Sequence, residues 1–141
     1  MANKFVFLPP QSDLFAEWIP RLLDSAPGWE IVTPTTNEDA LKELPDADAA
    51  YGTMTPELIA AAPKLRWLQA PAAAPNAGYY FDELIAHPTK VTNFREIYND
   101  HISVQILGYI LNFTKHFNLY RDQQNERKYE VLESPYHDIF L

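Results

Sequence analysis

Short apolar runs alternate with helix-start signals along most of the chain. The apolar runs predict five strands, at residues 4–8, 29–32, 47–52, 65–70 and 90–93. Each run is short and is bounded by proline, glycine or polar residues, as buried strands are. Because a helical segment separates consecutive runs, the pattern is typical of a parallel sheet built from βα units. We therefore predict an α/β fold with a five-stranded, flavodoxin-like, doubly wound sheet and a long C-terminal helix.

The helices between these strands are predicted from capping residues and from helical spacing. Apolar residues repeat at helical spacing within residues 12–23, which begin with a Ser-Asp capping pair, and Pro20 is expected to kink or split that helix. Thr36 and Thr55 are predicted N-caps of the next two helices, and Thr55 is followed by a proline at the first helical position. Residues 79–86 are predicted to form the fourth helix.

The last predicted helix begins at Asn99-Asp100 and runs past Tyr120. One side holds the apolar residues Ile102, Ile106, Tyr109, Ile110, Phe113 and Phe117, and the other holds Val104, Leu107 and Leu111. A helix that is apolar on two sides is expected to be buried on both. Two interpretations follow: a central core helix, or a helix that also packs against another domain or subunit.

These patterns divide the chain into three segments. Residues 1–98 form the sheet domain, residues 99–128 form the long helix, and residues 129–141 form a tail. The sequence turns polar after Tyr120 and ends in the apolar pair Phe140-Leu141 without a capping signal. We therefore expect a truncated chain rather than a complete one.

Composition narrows the classes of function. A length of 141 residues suits one compact domain and is too short for an enzyme with a separate cofactor domain. The 11 basic and 19 acidic residues give a net charge of −8, which argues against nucleic-acid or anionic-membrane partners. The chain has no cysteine, so it has no disulfides or thiolate sites. Without a targeting signal or an apolar run of about 20 residues, we expect a cytoplasmic protein.

The glycine positions exclude a dinucleotide-binding turn in this chain. A pyrophosphate loop needs closely spaced glycines, whereas those here stand far apart, at Gly28, Gly52, Gly78 and Gly108. A flavin-phosphate loop is not expected because the first strand leads into Pro9-Pro10-Gln11. A receiver domain needs an aspartate at the end of the third strand, which instead ends Ala50-Tyr51-Gly52.

No catalytic or metal-binding residue is predicted from side-chain spacing. The four histidines, His87, His101, His116 and His137, form no pair at the i, i+4 spacing of helical metal ligands. The serines have no histidine or aspartate partners at a recognisable spacing. Asp46, Asp48 and the other carboxylates are interpreted as solvated surface charges.

Two stretches resemble a known enzyme family. Residues 55–73, TPELIAAAPKLRWLQAPAA, resemble the segment before and around the substrate loop of D-isomer-specific 2-hydroxyacid dehydrogenases. Residues 91–102, VTNFREIYNDHI, resemble the strand, the loop and the start of the long interdomain helix in that family. The resemblance implies that residues 1–98 are a flavodoxin-like substrate-binding domain, which in the family precedes a Rossmann cofactor domain.

The same resemblance implies a set of substrate-binding residues at the carboxyl edge of the sheet. They are Gly52, Thr53, Ala72, Ala73, Ala74, Arg95 and Tyr98. The backbone N–H groups of residues 72–74 would hold the carboxylate of a small 2-oxo or 2-hydroxy acid. The family has glycine at position 74, so Ala74 is expected to be strained at positive φ. The alternatives are that residues 72–74 form only a proline-bounded turn and that Arg95 is only a surface charge.

For the complete family, the resemblance implies hydride transfer between NAD or NADP and small 2-oxo acids. The family's catalytic Arg, Glu and His and most of its cofactor contacts lie in the part that this chain does not include. We therefore expect no cofactor, no metal and no catalytic residue in this chain, and no activity of the chain alone. We also expect a homo-oligomer formed through residues 102–117. The alternatives are a non-enzymatic self-associating module and a free-standing binder of small carboxylates.

Overall fold

Five short strands form one parallel sheet. They are β1 (Asn3–Phe7), β2 (Trp29–Val32), β3 (Ala49–Tyr51), β4 (Trp67–Gln69) and β5 (Lys90–Thr92). The strand order is β2-β1-β3-β4-β5, and each neighbouring pair is parallel. β2 therefore lies on one side of β1, and β3, β4 and β5 follow in sequence on the other side. This is the flavodoxin-like strand order. This confirms the predicted fold class, although the third and fourth strands are shorter than the apolar runs that predicted them.

The computed structural model describes residues 2–132. Its chain divides into two compact units, Met1–Glu96 and Ile97–Leu141. The end of the predicted tail, with His137 and the pair Phe140-Leu141, lies outside the described residues. Within the described residues, no helix is long and apolar enough to cross a membrane.

Within residues 2–132, six α-helices accompany the strands. They are α1 (Leu14–Ser25), α2 (Asn37–Glu43), α3 (Pro56–Ala60), α4 (Asp82–Ala86), α5 (Asn99–Thr114) and α6 (Phe117–Asn125). A 3₁₀ helix, Leu44–Asp46, extends α2. The first unit contains α1 to α4 and the sheet, and the second contains α5 and α6.

One face of the sheet holds the hydrophobic core. Alternate strand residues, Val6, Ala50 and Leu68, point into a buried cluster that also includes Leu44 and Leu58 from the helical layer. All five are essentially inaccessible to solvent. Burying a leucine side chain contributes about 2 kcal/mol, so this face provides much of the stability of the unit.

The opposite face of the sheet is aromatic. Phe5 makes ring contacts with Phe7, Trp29 and Trp67, with centroids 5.0, 6.3 and 5.8 Å away. Phe15 of α1 packs against this face through Phe7, at 5.4 Å. The period-2 alternation of strand side chains explains why these rings and the aliphatic core lie on opposite faces.

The predicted caps of α2 and α3 are confirmed, and that of α1 is wrong. Thr36 Oγ1 accepts from Asp39 N at 3.1 Å, and Thr55 Oγ1 accepts from Leu58 N at 3.2 Å. Asp13 precedes α1 without a side-chain capping bond, because it already has helical φ and ψ angles.

α1 also runs through Pro20 without being split, so the expected split is wrong, whereas the expected kink stays a prediction. A proline removes one intrahelical donor. Here apolar residues on both sides of Pro20 face the aromatic side of the sheet: Phe15 packs on Phe7, and Leu22 lines a cavity together with Trp29. Both halves of the helix therefore lie over the same surface.

The single helix predicted past Tyr120 is instead two helices. His116 has a φ of 54°, in the left-handed region, which ends α5 and separates it from α6. Histidine is one of the residues that adopt this region more readily than most. The expected cap pair is also wrong, since Asn99 is already helical and Tyr98 occupies the N-cap position.

Neither α5 nor α6 contains a buried residue. Phe113 is 69% exposed and Val104 is 70% exposed, so both of the predicted apolar sides are accessible. The interpretation of α5 as a central core helix is therefore contradicted.

Candidate functional site

A cleft opens at the carboxyl ends of β3 and β4, within the first unit. Its volume is about 300 Å³. It is lined by Thr53, Met54, Pro71, Ala72, Pro75, Asn76, Ala77, Gly78 and Tyr79. These residues come from the turn between β3 and α3 and from the loop between β4 and α4, which we call the 71–78 loop. Parallel α/β sheets bind their ligands at this edge.

The 71–78 loop is fixed at both of its ends. Before it, Ala70 N donates to Thr92 O at 2.8 Å and continues the ladder between β4 and β5. After it, Tyr79 N donates to Asn76 O at 3.1 Å and closes a four-residue turn. Gly78, with a φ of 87°, occupies the third position of that turn, where a type II turn requires positive φ. The loop therefore has a defined path between two anchored residues.

Three successive amides in this loop are free to bind a ligand. Within residues 2–132, the N–H groups of Ala72, Ala73 and Ala74 donate to no protein acceptor. Ala72 lines the cleft, and Ala72 and Ala73 are half-buried. Unpaired backbone donors at the edge of a cleft are suited to an anionic group such as a carboxylate.

Gly52 forms the buried start of the β3–α3 turn. Its N–H donates to Gln69 O at 3.1 Å, and its carbonyl accepts from Tyr79 Oη at 2.9 Å. Its φ is +132°, and a Cβ atom here would lie 2.8 Å from Leu8 Cβ. Both backbone groups of Gly52 are therefore used within the protein, and the residue positions Thr53, which does line the cleft.

Arg95 follows β5 as an exposed side chain. Its Nε lies 3.8 Å from Glu96 Oε1, and the two side chains are 82% and 73% exposed. Its backbone N–H donates to Asn93 Oδ1 at 3.0 Å. Arg95 is not among the residues that line the cleft. The long separation from Glu96 leaves the guanidinium accessible to an anion.

The expected strain at Ala74 is wrong. Among the described residues other than glycine, only Glu96, His116 and Arg127 have positive φ. The loop reverses direction at Gly78 instead, so Ala74 does not need a left-handed conformation. Glu96, with a φ of 74°, is instead the residue in a left-handed conformation, directly after Arg95 in the sequence.

Tyr98 belongs to the second unit. It is the N-cap residue of α5, makes no side-chain capping bond and is 47% exposed. The structure thus brings Thr53 and Ala72 together in one cleft, with Ala73 and Ala74 in the same loop. Gly52 lies behind the cleft.

Tyr79 is a site residue that sequence reasoning missed. It is 8% exposed and lines the cleft. Its burial, and to a smaller extent its electrostatic interaction with Tyr80, raise the pKa of Tyr79 to about 12. The hydroxyl is therefore protonated and a hydrogen-bond donor at neutral pH. Its acceptor, Gly52, is 27 residues away in the sequence, and no local pattern indicates that pairing.

The amino edge of the sheet carries a charge cluster with a structural role. Lys4 is buried, and its Nζ lies 2.6 Å from Glu43 Oε2 and 2.9 Å from Asp46 Oδ1. Asp48 accepts from Lys4 N at 2.9 Å and from the guanidinium of Arg66 at 2.9 Å. Asp46 and Asp48 are therefore paired, which corrects their interpretation as merely solvated charges.

The turns after β1 and β3 do not have the form of a pyrophosphate-binding loop. The turn after β1 begins with Pro9-Pro10, and Gly52 in the turn after β3 has Leu8 against its Cα rather than open space for a pyrophosphate. Within residues 2–132, no group of three or more His, Asp or Glu side chains is arranged to hold a metal ion.

No protein-family model matches the sequence, and no curated protein matches it. Solved structures do match. A D-isomer-specific 2-hydroxyacid dehydrogenase family protein from Aeromonas salmonicida is 24% identical with a TM-score of 0.63, and the match covers 94% of this chain and 42% of that one. A D-lactate dehydrogenase from Treponema pallidum is 19% identical with a TM-score of 0.67, covering 93% of this chain and 41% of that one.

A third structure, a D-isomer-specific 2-hydroxyacid dehydrogenase from Xanthobacter autotrophicus in complex with NADPH and MES, is 16% identical with a TM-score of 0.68. The match covers 94% of this chain and 42% of that one. This chain therefore spans about two-fifths of the length of the solved structures it matches. The resemblance to this family is confirmed at the level of the fold.

Proposed function

We propose that the first unit is the substrate-binding domain of an oxidoreductase of the D-2-hydroxyacid dehydrogenase type. Its cleft would bind the carboxylate of a small 2-oxo or 2-hydroxy acid. The shared fold supports this proposal, and so does the position of the cleft at the carboxyl edge of the sheet.

The observation that supports carboxylate binding most directly is the run of unpaired amides at Ala72, Ala73 and Ala74. A hydrogen bond from an N–H group to a charged acceptor contributes about 1.5–3 kcal/mol. The whole chain has a net charge of −8, which opposes the approach of an anion. Local donors are therefore needed to offset that repulsion, and these three amides can supply them.

Arg95 is the cationic residue that we assign to substrate attraction, and Thr53 supplies a hydroxyl within the cleft. The guanidinium is only loosely paired with Glu96, at 3.8 Å. Tyr98, at the start of α5, is assigned to the same substrate by the family resemblance. We expect Arg95 to affect affinity through charge, because its side chain is exposed.

The proposal for the whole protein includes NAD or NADP, which supplies or accepts the hydride when bound. No hydride-transfer step is assigned to the described residues, because the turns after β1 and β3 do not have the form of a pyrophosphate-binding loop. We expect this chain by itself to give no oxidation of NADH with glyoxylate, hydroxypyruvate or pyruvate. Absorbance at 340 nm measures that, and turnover would contradict the expectation.

The second unit is proposed to form a homo-oligomer through residues 102–117. The supporting observation is the exposure of large apolar side chains along α5, since surface patches of this kind often mark interaction sites. The absence of cysteine from the chain is compatible with a reducing compartment, and we propose the cytoplasm.

The test of substrate binding is a titration with oxalate, a stable mimic of a 2-oxo acid, followed by ¹H–¹⁵N spectra of the full chain. We expect the amides of Ala72, Ala73 and Ala74 to shift with saturation, and equal concentrations of chloride to leave them unchanged. Shifts spread over the whole surface, or none in this loop, would refute carboxylate binding in the cleft.

A matched pair of variants separates local from general charge effects. Arg95→Gln is expected to weaken oxalate binding several-fold. Arg121→Gln removes the same charge from an exposed side chain of α6, which is paired with Asp122, and is expected to change little. Equal losses in both variants would mean that Arg95 acts only through the net charge of the protein.

A further inference from the structure

The hydroxyl group of Tyr79 joins the two chain segments that line the cleft. Tyr79 Oη donates to Gly52 O at 2.9 Å, across 27 residues of sequence, and both partners are buried. Thr53, on one side of the cleft, directly follows Gly52. Gly78, on the other side, directly precedes Tyr79. One hydrogen bond therefore connects the β3–α3 turn to the end of the 71–78 loop.

The carbonyl group of Gly52 cannot move to another donor if the hydrogen bond from Tyr79 is lost. Gly52 is held in place by its N–H bond to Gln69 O and by the close approach of Leu8, whose Cβ lies 2.8 Å from the position that a Cβ on Gly52 would take. A buried carbonyl that loses its donor is left without a partner, which is unfavourable. The turn after β3 is thus the fixed partner, and the loop is the segment that the bond restrains.

The remaining attachment of the 71–78 loop is at its start, where Ala70 N bonds to Thr92 O. Between Ala70 and Tyr79 stand the three amides that have no protein acceptor. Their distance from Thr53 across the cleft depends on where the end of the loop is held. Among the described hydrogen bonds, the one from the Tyr79 hydroxyl to Gly52 O is the only bond that connects the end of the loop to the β3–α3 turn.

We infer that Tyr79 is a positioning residue for anion binding: its hydroxyl, bonded to the Gly52 carbonyl, sets the separation between Thr53 and the amides of residues 72–74. Tyr79 does not itself contact the carboxylate. The identity of the ligand rests on the proposed function, whereas the coupling of the two segments through Tyr79 does not.

The test compares Tyr79→Phe with two controls in the full chain. Tyr80→Phe removes the neighbouring phenol, which is 48% exposed and makes no hydrogen bond in the described structure. Thr36→Ala removes the N-cap of α2, away from the cleft, and lowers stability without touching the loop. Two quantities are measured: oxalate affinity by calorimetry, and hydrogen exchange of the amides of residues 52 and 79.

We expect Tyr79→Phe to weaken oxalate binding by about tenfold and to accelerate exchange at both amides. Neither control should do so. Unchanged exchange at both amides, or an equal loss of affinity in Thr36→Ala, overturns the inference, because the effect would then be absent or would follow general stability. If the wild-type chain binds no oxalate, the proposed function fails, while exchange still decides the role of Tyr79.

Should Tyr79→Phe not fold, the wild-type chain provides the same test. Oxalate that binds the amides of the loop is expected to slow exchange at the amides of Gly52 and Tyr79, because ligand and hydroxyl restrain the same two segments. Saturation with oxalate that leaves both exchange rates unchanged overturns the inference.

Discussion

Leu8 and Gly52 approach each other so closely that a methyl group on the Gly52 Cα would lie 2.8 Å from Leu8 Cβ. The contact joins the residue that follows β1 to the residue that follows β3. Leu8 N also donates to Tyr51 O at 2.8 Å, which continues the pairing of these strands. The carboxyl edge of the sheet is therefore tightly packed where the cleft begins.

Replacing Gly52 by alanine is expected to be strongly destabilising. The new Cβ would collide with Leu8, and the φ of +132° is one that residues with a side chain rarely adopt. Overpacking and left-handed strain together cost about 3 kcal/mol or more. Urea unfolding followed by circular dichroism measures the loss as a fall in the transition midpoint.

Two other glycines serve as controls for this substitution. Gly78→Ala meets no atom within 4 Å but has a φ of +87°, so only strain of about 1 kcal/mol is expected. Gly108→Ala, in the middle of α5 with open space around it, is expected to stabilise by about 0.5–1 kcal/mol. A Gly52→Ala variant as stable as Gly78→Ala would show that Leu8 can move aside.

Alkaline pH is expected to destabilise the protein through Tyr79. Burial raises the pKa of Tyr79 from its ordinary value of 10 to about 12. The folded protein therefore holds this proton more tightly than the unfolded chain, so stability is fully present below pH 10 and is lost as the pH rises towards 12. The loss is about 2 kcal/mol.

Unfolding midpoints measured from pH 9 to 12 test this alkaline loss. Tyr79→Phe is expected to remove this part of the pH dependence, whereas Tyr80→Phe is expected to retain it. A wild-type curve that is flat over this range, or one that Tyr79→Phe leaves unchanged, would contradict the assignment.

The sheet could be predicted from the sequence because its determinants are local. Apolar runs bounded by proline and glycine mark all five strands. Thr36 and Thr55 cap their helices, as predicted from the acidic residues that follow Thr36 and the proline that follows Thr55. The run of residues 72–74 was found through its resemblance to a family. What supports its role is that its amides lack acceptors, which only the fold reveals.

The features that could not be predicted depend on contacts between distant residues. The pairing of Tyr79 with Gly52 and of Lys4 with Glu43 crosses dozens of residues, and neither member of a pair is unusual in its own segment. The break at His116 interrupts an apolar pattern that continues at helical spacing on both sides. The periodic spacing of apolar residues does not reveal where a single residue adopts a positive φ.

Acid is expected to weaken the charge cluster at the amino edge. Burial opposes the charge on Lys4, but its bonds to Glu43 and Asp46 raise the pKa of the ammonium group. The same hydrogen bond from Lys4 lowers the pKa of Asp46 from its usual value of 3.8. The contribution of Asp46 is therefore present above that value and is lost as the pH falls through the lowered pKa.

Lys4→Met tests this cluster. The variant keeps the apolar stem of the lysine but removes the charge, so its urea midpoint is expected to be lower than that of the wild type at pH 7 and nearly equal to it at pH 2. Lys42→Met breaks the exposed pair with Asp39 and serves as the control, with little expected change at pH 7. A difference between wild type and Lys4→Met that persists at pH 2 would assign the effect to packing of the side chain.

Self-association through α5 is expected to depend on its exposed apolar side chains. Ile106 and Phe113 are 52% and 69% exposed and stand two turns apart on one stripe of the helix. The double variant Ile106→Glu, Phe113→Glu places two negative charges there and is expected to shift the protein from oligomer to monomer in sedimentation equilibrium. Because both side chains are exposed, each substitution should cost the folded monomer no more than about 0.5 kcal/mol.

Ile85→Glu serves as the control for this double variant. It adds a negative charge outside α5, at a position of α4 that is 67% exposed, and is expected to leave the association unchanged. A wild-type chain that sediments as a monomer at all concentrations, or an equal effect of Ile85→Glu, would rule out α5 as the contact surface.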